Sequence, residues 1–407
     1  MIRAKGGNAD VMQGMNRSLV LRVLAWQDIY TRVQIAEQVG LQQASISKII
    51  AEFTEMGLIE EIGSVEGRKG RRSIGIRLRA DKMKTLAVKL SRDSYQFGVF
   101  DVKGTLYEKA TYQTDRQSNV GAIVADIKRT INTLLVEYAD ILAIGIVVPG
   151  PYLRNEGRIA LMADYPGWDT VDFYQEFQQA YELPVCIEHD ANAGALAEWQ
   201  YGSQAYDGVL LHLLAGSGIG AGIIEKGQIL TGWRGIAGEL GHMSIDHNGP
   251  LCSCGNRGCL RLYCSSIAFV RDAEVRLSEH PESCLNALSK ITSEAIFVGG
   301  EKGDTYCLEL IRRLGYYLGV GVVNTVYLYN ANHIVISDDL VRGGTLLMNV
   351  IQETVRERLL PVLYDDLTIT YSRFGKDTIL YGAAAITGNL ILDNYTLVKQ
   401  RGGSGNE

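Results

Sequence analysis

Gly249-Pro250-Leu251-Cys252-Ser253-Cys254-Gly255-Asn256-Arg257-Gly258-Cys259 gathers three cysteines into eight residues, and His242 stands ten residues before the first of them. One imidazole and three thiolates form a closed tetrahedral donor set, the arrangement typical of structural zinc. The glycines around Cys254 and Gly258 suit a chain wrapped on an ion better than the alternative, three small buried cysteines beside an unrelated histidine. The expected cofactor is therefore Zn2+, held by His242, Cys252, Cys254 and Cys259. Cys186, Cys264, Cys284 and Cys307 follow no ligand pattern and are expected in the core.

On either side of this knuckle the chain alternates strands and helices. Strand-like runs at Thr85–Ser91, Tyr95–Asp101 and Thr105–Tyr112 precede a helix near Val120–Tyr138, a strand at Ile141–Val148, and a strand at Pro184–Glu188 that leads into a helix after Asp190. Three antiparallel strands followed by α/β alternation predict a ribonuclease-H-like or actin-like lobe. A second lobe begins near Gly208 with the strand Val209–Leu214 and ends in long helices around 308–329 and 342–358. The fold class is thus α/β, a two-lobed actin-like (sugar-kinase) body, with ligands expected in the cleft between lobes. Its lobes are assigned to residues 81–195, completed by 378–396, and to residues 196–377, which include the zinc knuckle.

Residues 1–80 read differently. Leu19, Val20, Val23 and Leu24 share one helical face between Asn16 and Trp26. Thr31 and Gln34 have capping-box spacing, opening a helix that Gly40 closes. Ile46, Ile49, Ile50, Phe53 and Met56 then recur at helical spacing up to Gly57. Helix, turn and helix in this order predict a helix-turn-helix. Its last helix leaves Gln42, Gln43, Ser45, Ser47 and Lys48 outward near the N-terminus, the end that enters a major groove, where glutamine pairs with adenine. A strand at Leu58–Ile62, a basic turn through Arg68, Lys69, Arg71 and Arg72, and a strand at Ile74–Leu78 predict a wing contacting phosphates or the minor groove. Double-stranded DNA is the expected partner of this winged helix-turn-helix.

Charge agrees with that division. Residues 1–80 carry 12 Lys/Arg against 8 Asp/Glu, a net of +4, while the whole chain of 407 residues stands at −6. The remainder is therefore at −10, an acidic body beneath a basic head. With 46% hydrophobic and 21% charged residues the composition is that of a soluble globular protein. No run of eighteen apolar residues offers a membrane span, and Met1–Gly14 lacks a signal peptide's apolar core, so a cytoplasmic location is expected. Residues Met1–Gly14 and Arg401–Glu407 are expected to be disordered.

Four motifs in order carry a specific resemblance: Glu188-His189-Asp190-Ala191-Asn192-Ala193, Gly216-Ser217-Gly218-Ile219-Gly220-Ala221-Gly222, Gly238-Glu239-Leu240-Gly241-His242 and the cysteine knuckle. Together they resemble the ROK family of repressors, open-reading-frame proteins and sugar kinases, from about Asn16 to Leu392. Asn16-Arg17 and Gly70-Arg71-Arg72 are features of its repressor branch. The resemblance implies that Asp190 matches the base which takes a proton from the sugar hydroxyl in the kinases. Glu239 and His242 match groups that hydrogen-bond sugar hydroxyls, His242 while also holding zinc. A structural reading of Asp190, as cap of the helix starting at Ala191, stands beside this one. Pro149-Gly150-Pro151 and Pro166-Gly167-Trp168 would line the same cleft, with Trp168 equally readable as core.

The resemblance breaks at informative places. His189 replaces the usual Asn before the Asp, and Arg261 replaces the usual Glu two residues after the last knuckle cysteine. A cation in place of an acceptor suggests a ligand with phosphate or carboxylate, unless Arg261 turns away or pairs with Glu239 or Asp190. The kinases' Asp-x-Gly-Gly-Thr phosphate turn corresponds to Lys89-Leu90-Ser91-Arg92-Asp93, and their later Gly-Gly-Gly turn to Ser337-Asp338-Asp339. Losing glycine backbones and gaining carboxylates opposes nucleotide binding. The expected function is a sugar-responsive repressor of carbohydrate-utilisation genes. It would be a homodimer or dimer of dimers with no kinase activity, its ligand-binding residues His189, Asp190, Glu239, His242 and Arg261. Two rivals are an active sugar kinase with a fused DNA-binding head and a regulator whose body docks a transport or signalling protein.

Overall fold

Thr31 opens the helix Arg32–Val39 by the reciprocal bonds its spacing predicts. Its hydroxyl accepts from Gln34 N, and the Gln34 side chain accepts from Thr31 N at 2.8 Å. The computed structural model describes residues 9–66, 72–114, 119–160, 167–202 and 206–402. At the N-terminus, α1 (Ala9–Trp26), α2 (Arg32–Val39) and α3 (Gln43–Glu55) precede the antiparallel hairpin β1 (Ile59–Glu66) and β2 (Arg72–Leu78). Helix α2 ends at Gly40 with φ +69°, the left-handed turn that favours glycine. Arg68, Lys69 and Arg71 lie outside the described residues. Helix α1 begins at Ala9, so residues 9–14, expected disordered, are helical; Val11 and Met12 there are exposed and do not extend the buried apolar face.

The body holds two five-stranded sheets of the same order. In the first, β5 (Leu106–Gln113), β4 (Ser94–Asp101) and β3 (Lys84–Leu90) are antiparallel neighbours, and β3 pairs in parallel with β6 (Ile141–Val148), followed by β9 (Val185–His189). Helix α4 (Val120–Glu137) lies between β5 and β6 in sequence, and the short pair β7 (Tyr152–Leu153) and β8 (Arg158–Ile159) between β6 and β9. After α5 (Asp190–Tyr201), the second sheet runs β12 (Gln228–Ile229), β11 (Ile219–Glu225), β10 (Val209–Ala215), β13 (His333–Ser337) and β14 (Thr368–Tyr371). Its first three strands are antiparallel and the next two pairings parallel. Taken in chain order, both sheets read third, second, first, fourth, fifth. This repeated topology is the actin-like, ribonuclease-H-like architecture that the strand pattern predicts.

Chain contacts divide the protein into two compact units. One comprises residues 1–147, 172–187 and 383–407, the other 148–171 and 188–382. The second includes α6 (Arg261–Cys264), α7 (Ser266–Arg276), α8 (Ser293–Glu301), α9 (Thr305–Tyr329), α10 (Gly344–Arg358) and α11 (Pro361–Tyr364). Its core runs from Leu211 and Ile223 through Phe269, Phe297, Leu314 and Val322 to Ile336, Leu347 and Ile351. Helix α12 (Thr378–Asp393) starts in this unit and ends in the other, where α13 (Tyr395–Gly402) follows. The helix therefore includes Arg401 and Gly402, part of the tail expected to be disordered. Among the described residues no helix is long and apolar enough to cross a membrane.

In the first unit the winged helix and the body share one apolar core. Val20, Ile50, Phe53, Ile59 and Ile76 are continuous with Met83, Val102, Leu142, Leu392, Tyr395 and Val398. The boundary expected at residue 80 falls inside this cluster. Polar contacts fasten the same junction. Arg17 on α1 grips both carboxylate oxygens of Glu52 on α3, at 2.6–3.0 Å, and the Tyr395 hydroxyl bonds the same carboxylate. Ser18 donates to Asp393 O at 2.8 Å and accepts from Tyr395 N at 3.1 Å, while Arg22 pairs with Asp393. The Arg17 guanidinium holds the Glu52 carboxyl below the ordinary glutamate value of 4.5, against some desolvation. A carboxyl lowered on folding stabilises above its unfolded pKa and loses that contribution as pH falls through its folded value. Glu52→Gln should therefore lower the thermal unfolding temperature near neutral pH. The deficit should shrink toward zero in scans below pH 4.5, where wild-type Glu52 becomes protonated.

Candidate functional site

The second unit assembles a polar cradle at the start of α5. Ala191, Ala193, Ala195 and Ala197 of this helix have no exposed surface, and neither does Asn192. Only small residues permit such enclosure: a methyl group at Gly222 would stand 2.1 Å from Ala191 O, and one at Gly382 2.2 Å from Ala193 O. Fully buried His212 props the helix from below, its Nδ1 3.1 Å from Ala191 O and its Nε2 2.7 Å from Ser337 Oγ. Burial holds the His212 pKa down near 4, so the ring is neutral at physiological pH.

Asp190 stands at the helix start, half-buried. Its Oδ1 accepts from Ala191 N at 2.7 Å and lies 3.0 Å from His189 Nε2. The same Nε2 is 3.9 Å from Glu239 Oε1. His189 is buried against Gly150, where a methyl group would come within 2.0 Å of Nε2. The structure thus brings His189, Asp190 and Glu239 together, with Gly150 as the wall behind the imidazole. Arg154 and Glu188, which sequence reasoning passed over, support them: Glu188 pairs with Arg154 while its Oε1 accepts from His189 N at 2.9 Å and Asn192 Nδ2 at 3.1 Å. Glu239 Oε1 is buried with no hydrogen-bond partner among the described residues. Burial pushes the Glu239 carboxyl up, the Asp190 charge adds to this, and His189 opposes it. Trp168 is 2% exposed, a core side chain, and Pro166 lies outside the described residues.

Glu239 connects directly to the cluster of His242, Cys252, Cys254 and Cys259 through the short turn Leu240–His242. Gly238 enters that turn at φ +90°, where a side chain would collide with Ala221 O at 1.9 Å. His242 Nδ1 is 3.7 Å from Cys252 Sγ, Cys254 Sγ is 3.7 Å from Cys259 Sγ, and one donor atom from each residue lies within 4.8 Å of all the others. Zinc–sulfur bonds of about 2.3 Å at tetrahedral angles separate neighbouring sulfurs by about 3.8 Å, so these donors fit zinc. Gly255 at φ +91° and Gly258 at φ +63° turn the loop tightly enough to bring the thiols inward. Burial, reinforced by neighbouring thiols, pushes Cys259 up to about 12. A bound cation would supply the charge that reverses this. Burial and then the Arg261 charge lower His242, favouring the neutral imidazole that coordinates metal. Arg261 donates to Ser253 Oγ at 3.2 Å, inside the knuckle. Cys264 and Cys307 are buried as expected, but Cys284 is exposed and Cys186 half-buried, so those two do not belong to the interior.

In the other unit Gln42, Gln43, Ser45, Ser47 and Lys48 are all exposed, while Ile46, Ile49, Ile50 and Phe53 on the opposite face of α3 are buried. Arg72 is exposed at the start of β2.

Residues 85–389 match the model of the ROK family, and the chain belongs to that family. It is 26% identical over 384 residues to a xylose repressor of Bacillus spizizenii, covering 93% of this chain and 96% of the relative. It is 27% identical over 402 residues to the DNA-binding transcriptional dual regulator NagC of Escherichia coli, 97% of each chain. The crystal structure of a ROK family transcriptional regulator, a homolog of the E. coli MLC protein, superposes with a TM-score of 0.80 at 27% identity over 97% of this chain and all of that one. A ROK family glucokinase from Streptomyces griseus, in complex with glucose and AMPPNP, superposes with a TM-score of 0.66 at 26% identity over 74% of this chain and 98% of that one.

Structural zinc would couple the knuckle to folding. A strong chelator, or Cys252→Ser, should therefore lower the unfolding temperature and speed proteolysis around 238–262. Returning zinc should restore the wild-type protein. Unchanged stability on chelation would dismiss the assignment.

Proposed function

We propose that the protein is a DNA-binding repressor whose body senses a sugar or sugar derivative without phosphorylating it. The observation that carries the sensing half is the buried, unpartnered Glu239 Oε1 beside Asp190 and His189. An acceptor left without a donor in a buried site costs about 1–3 kcal/mol. A ligand hydroxyl would remove that cost, and two carboxylates about one imidazole are suited to vicinal hydroxyls. Repressors named for xylose and N-acetylglucosamine among the relatives agree with a sugar effector. Arg261, beside the knuckle with a neutral hydroxyl as hydrogen-bond acceptor, is assigned to a phosphate or carboxylate on the ligand.

The turn that aligns with glycines of the kinases opposes nucleotide binding. Asp338 has φ 75° and ψ −150°, a conformation that costs a non-glycine residue on the order of 1–3 kcal/mol. The glycine backbone persists there while a carboxylate has been added. That carboxylate is pressed on the Gly216 turn, where a methyl group would be 2.1 Å from its Oδ2. A phosphate approaching Gly216 would meet both the bulk and the charge of Asp338.

Repression follows from the head. Gln42 at the N-cap of α3, with Gln43, Ser45, Ser47 and Lys48 on the helix, would face a major groove. Arg72 at the start of β2, with Arg68, Lys69 and Arg71 shortly before it in sequence, would contact phosphates or the minor groove. A homodimer would set two such heads on a palindromic operator. Helix α12 offers the route for ligand control. Its Gly382 backs onto Ala193 of the cradle helix, and past its C-terminal end Tyr395 bonds Glu52 on α3. The ligand shifts operator affinity only by its differential affinity for the two states.

A thermal-shift screen of monosaccharides, their phosphates and uronic acids tests the sensing half. A ligand at 100 times its Kd adds about 2.7 kcal/mol. Asp190→Asn should abolish the shift, Arg261→Ala should remove any preference for the anionic form, and ATP should not be turned over with the hit. No shift across the panel, or phosphorylation of the hit, overturns the reading. Lys48→Ala should weaken operator binding and flatten its salt dependence.

A further inference from the structure

Cys284, Asp304 and Cys307 converge elsewhere in the second unit, with one donor atom from each within 4.8 Å of the others. They come from separate pieces of chain. Cys284 opens a short 3-10 turn, Asp304 caps α9, and Cys307 lies in that helix's first turn. Asp304 ties the pieces together: Oδ2 accepts from Ser283 Oγ at 2.9 Å and Cys284 N at 2.7 Å, and Oδ1 from Cys307 N at 3.0 Å. Helix α8 makes room for the sulfurs. A methyl group at Gly299 would stand 2.5 Å from Cys307 Sγ and 3.0 Å from Cys284 Sγ. Glycine inside a helix costs about 0.5–1 kcal/mol relative to alanine, and here it clears the point where both thiols meet.

We infer that Cys284, Asp304 and Cys307 form a second metal site, for a borderline-soft divalent cation such as zinc. Two thiolates and a carboxylate match zinc's preferred donors, and the exposure of Cys284 leaves a fourth position open to water. The hydrogen bonds that orient Asp304 are the outer-shell support that ligating carboxylates use. Reactive, disulfide-forming thiols are made by a dominant neighbouring cation; here the Asp304 carboxylate outweighs Lys302, the cation that acts on Cys284. The site is independent of the His242 knuckle and, having an open position, would exchange its ion more readily.

The test is zinc content of the full-length protein, measured by elemental mass spectrometry after equilibration in buffered free Zn2+. Wild type should hold two ions per chain, Cys284→Ser and Cys307→Ser one each. Asp304→Asn, which keeps the helix cap, should bind the second ion about 10-fold or more weakly. If the knuckle does not hold zinc, the counts fall to one and none, and the loss on Cys284→Ser still reports this site. In unmutated protein, alkylation of exposed Cys284 should slow with Zn2+ but not with Mg2+. Zinc content unaffected by Cys284→Ser, labelling indifferent to Zn2+, or a Cys284–Cys307 disulfide in zinc-equilibrated protein would each overturn the inference.

Discussion

The second unit is organised around a helix whose first half is built mostly of alanine and glycine. Ala191, Ala193, Ala195 and Ala197 are enclosed on every side, and Gly222, Gly382 and Gly194 let backbone and His212 approach α5 too closely for any methyl group. Apolar burial alone would favour larger residues, since each buried methylene contributes about 0.8 kcal/mol. The sequence forgoes that gain and obtains position instead. Asp190 is fixed by a helix that cannot shift without colliding with β11 or α12. Glu239 is fixed by a turn whose Gly238 touches Ala221 O, and that turn runs on into His242 of the histidine–cysteine cluster. The polar groups that we assign to a ligand are thereby held in place by the fold itself.

Under the function proposed above, differences of a few side chains would separate sensing from phosphoryl transfer on this scaffold. The cradle keeps a carboxylate at Asp190 and another at Glu239, while the turn at Asp338 keeps a glycine's backbone and adds an anionic side chain. His212 touches both regions through Ala191 O and Ser337 Oγ. Being neutral and fully buried, it ties the cradle helix to the end of β13 without adding charge to either.

Much of this was legible in the residues. The Thr31–Gln34 box, the all-buried strand Ile141–Val148 and the cysteine spacing of the knuckle are local signals, and each element forms where its signal lies. Contacts made only by folding were not legible. Cys284 and Cys307 are far apart in sequence and meet because Asp304 draws two turns together, so no spacing rule could pair them. Arg154 gave no warning of its bond to Glu188, because an arginine in a loop reads as solvated. The first turns of α1 are not legible because their apolar residues, Val11, Met12 and Met15, stay exposed and set up no buried face. The substitution at His189 was visible, but not that Gly150 would leave a space for its ring. Arg261 could be recognised as a departure from the family, whereas its turn toward Ser253 depends on the fold of the knuckle.

The core that joins the winged helix to the body has a consequence for exchange of parts. Repressor heads attached by flexible tethers can be traded between proteins as cassettes, since cutting the tether exposes nothing. Here residues 1–80 share buried surface with Met83, Val102, Leu142 and Tyr395, and α1 and α3 are both bound to the chain's last helices. A chimera joined at residue 80 would leave two complementary apolar faces without partners. Under the proposed function, operator specificity would therefore be transferable only by grafting the outward residues of α3 and the wing, or by moving α13 together with the head.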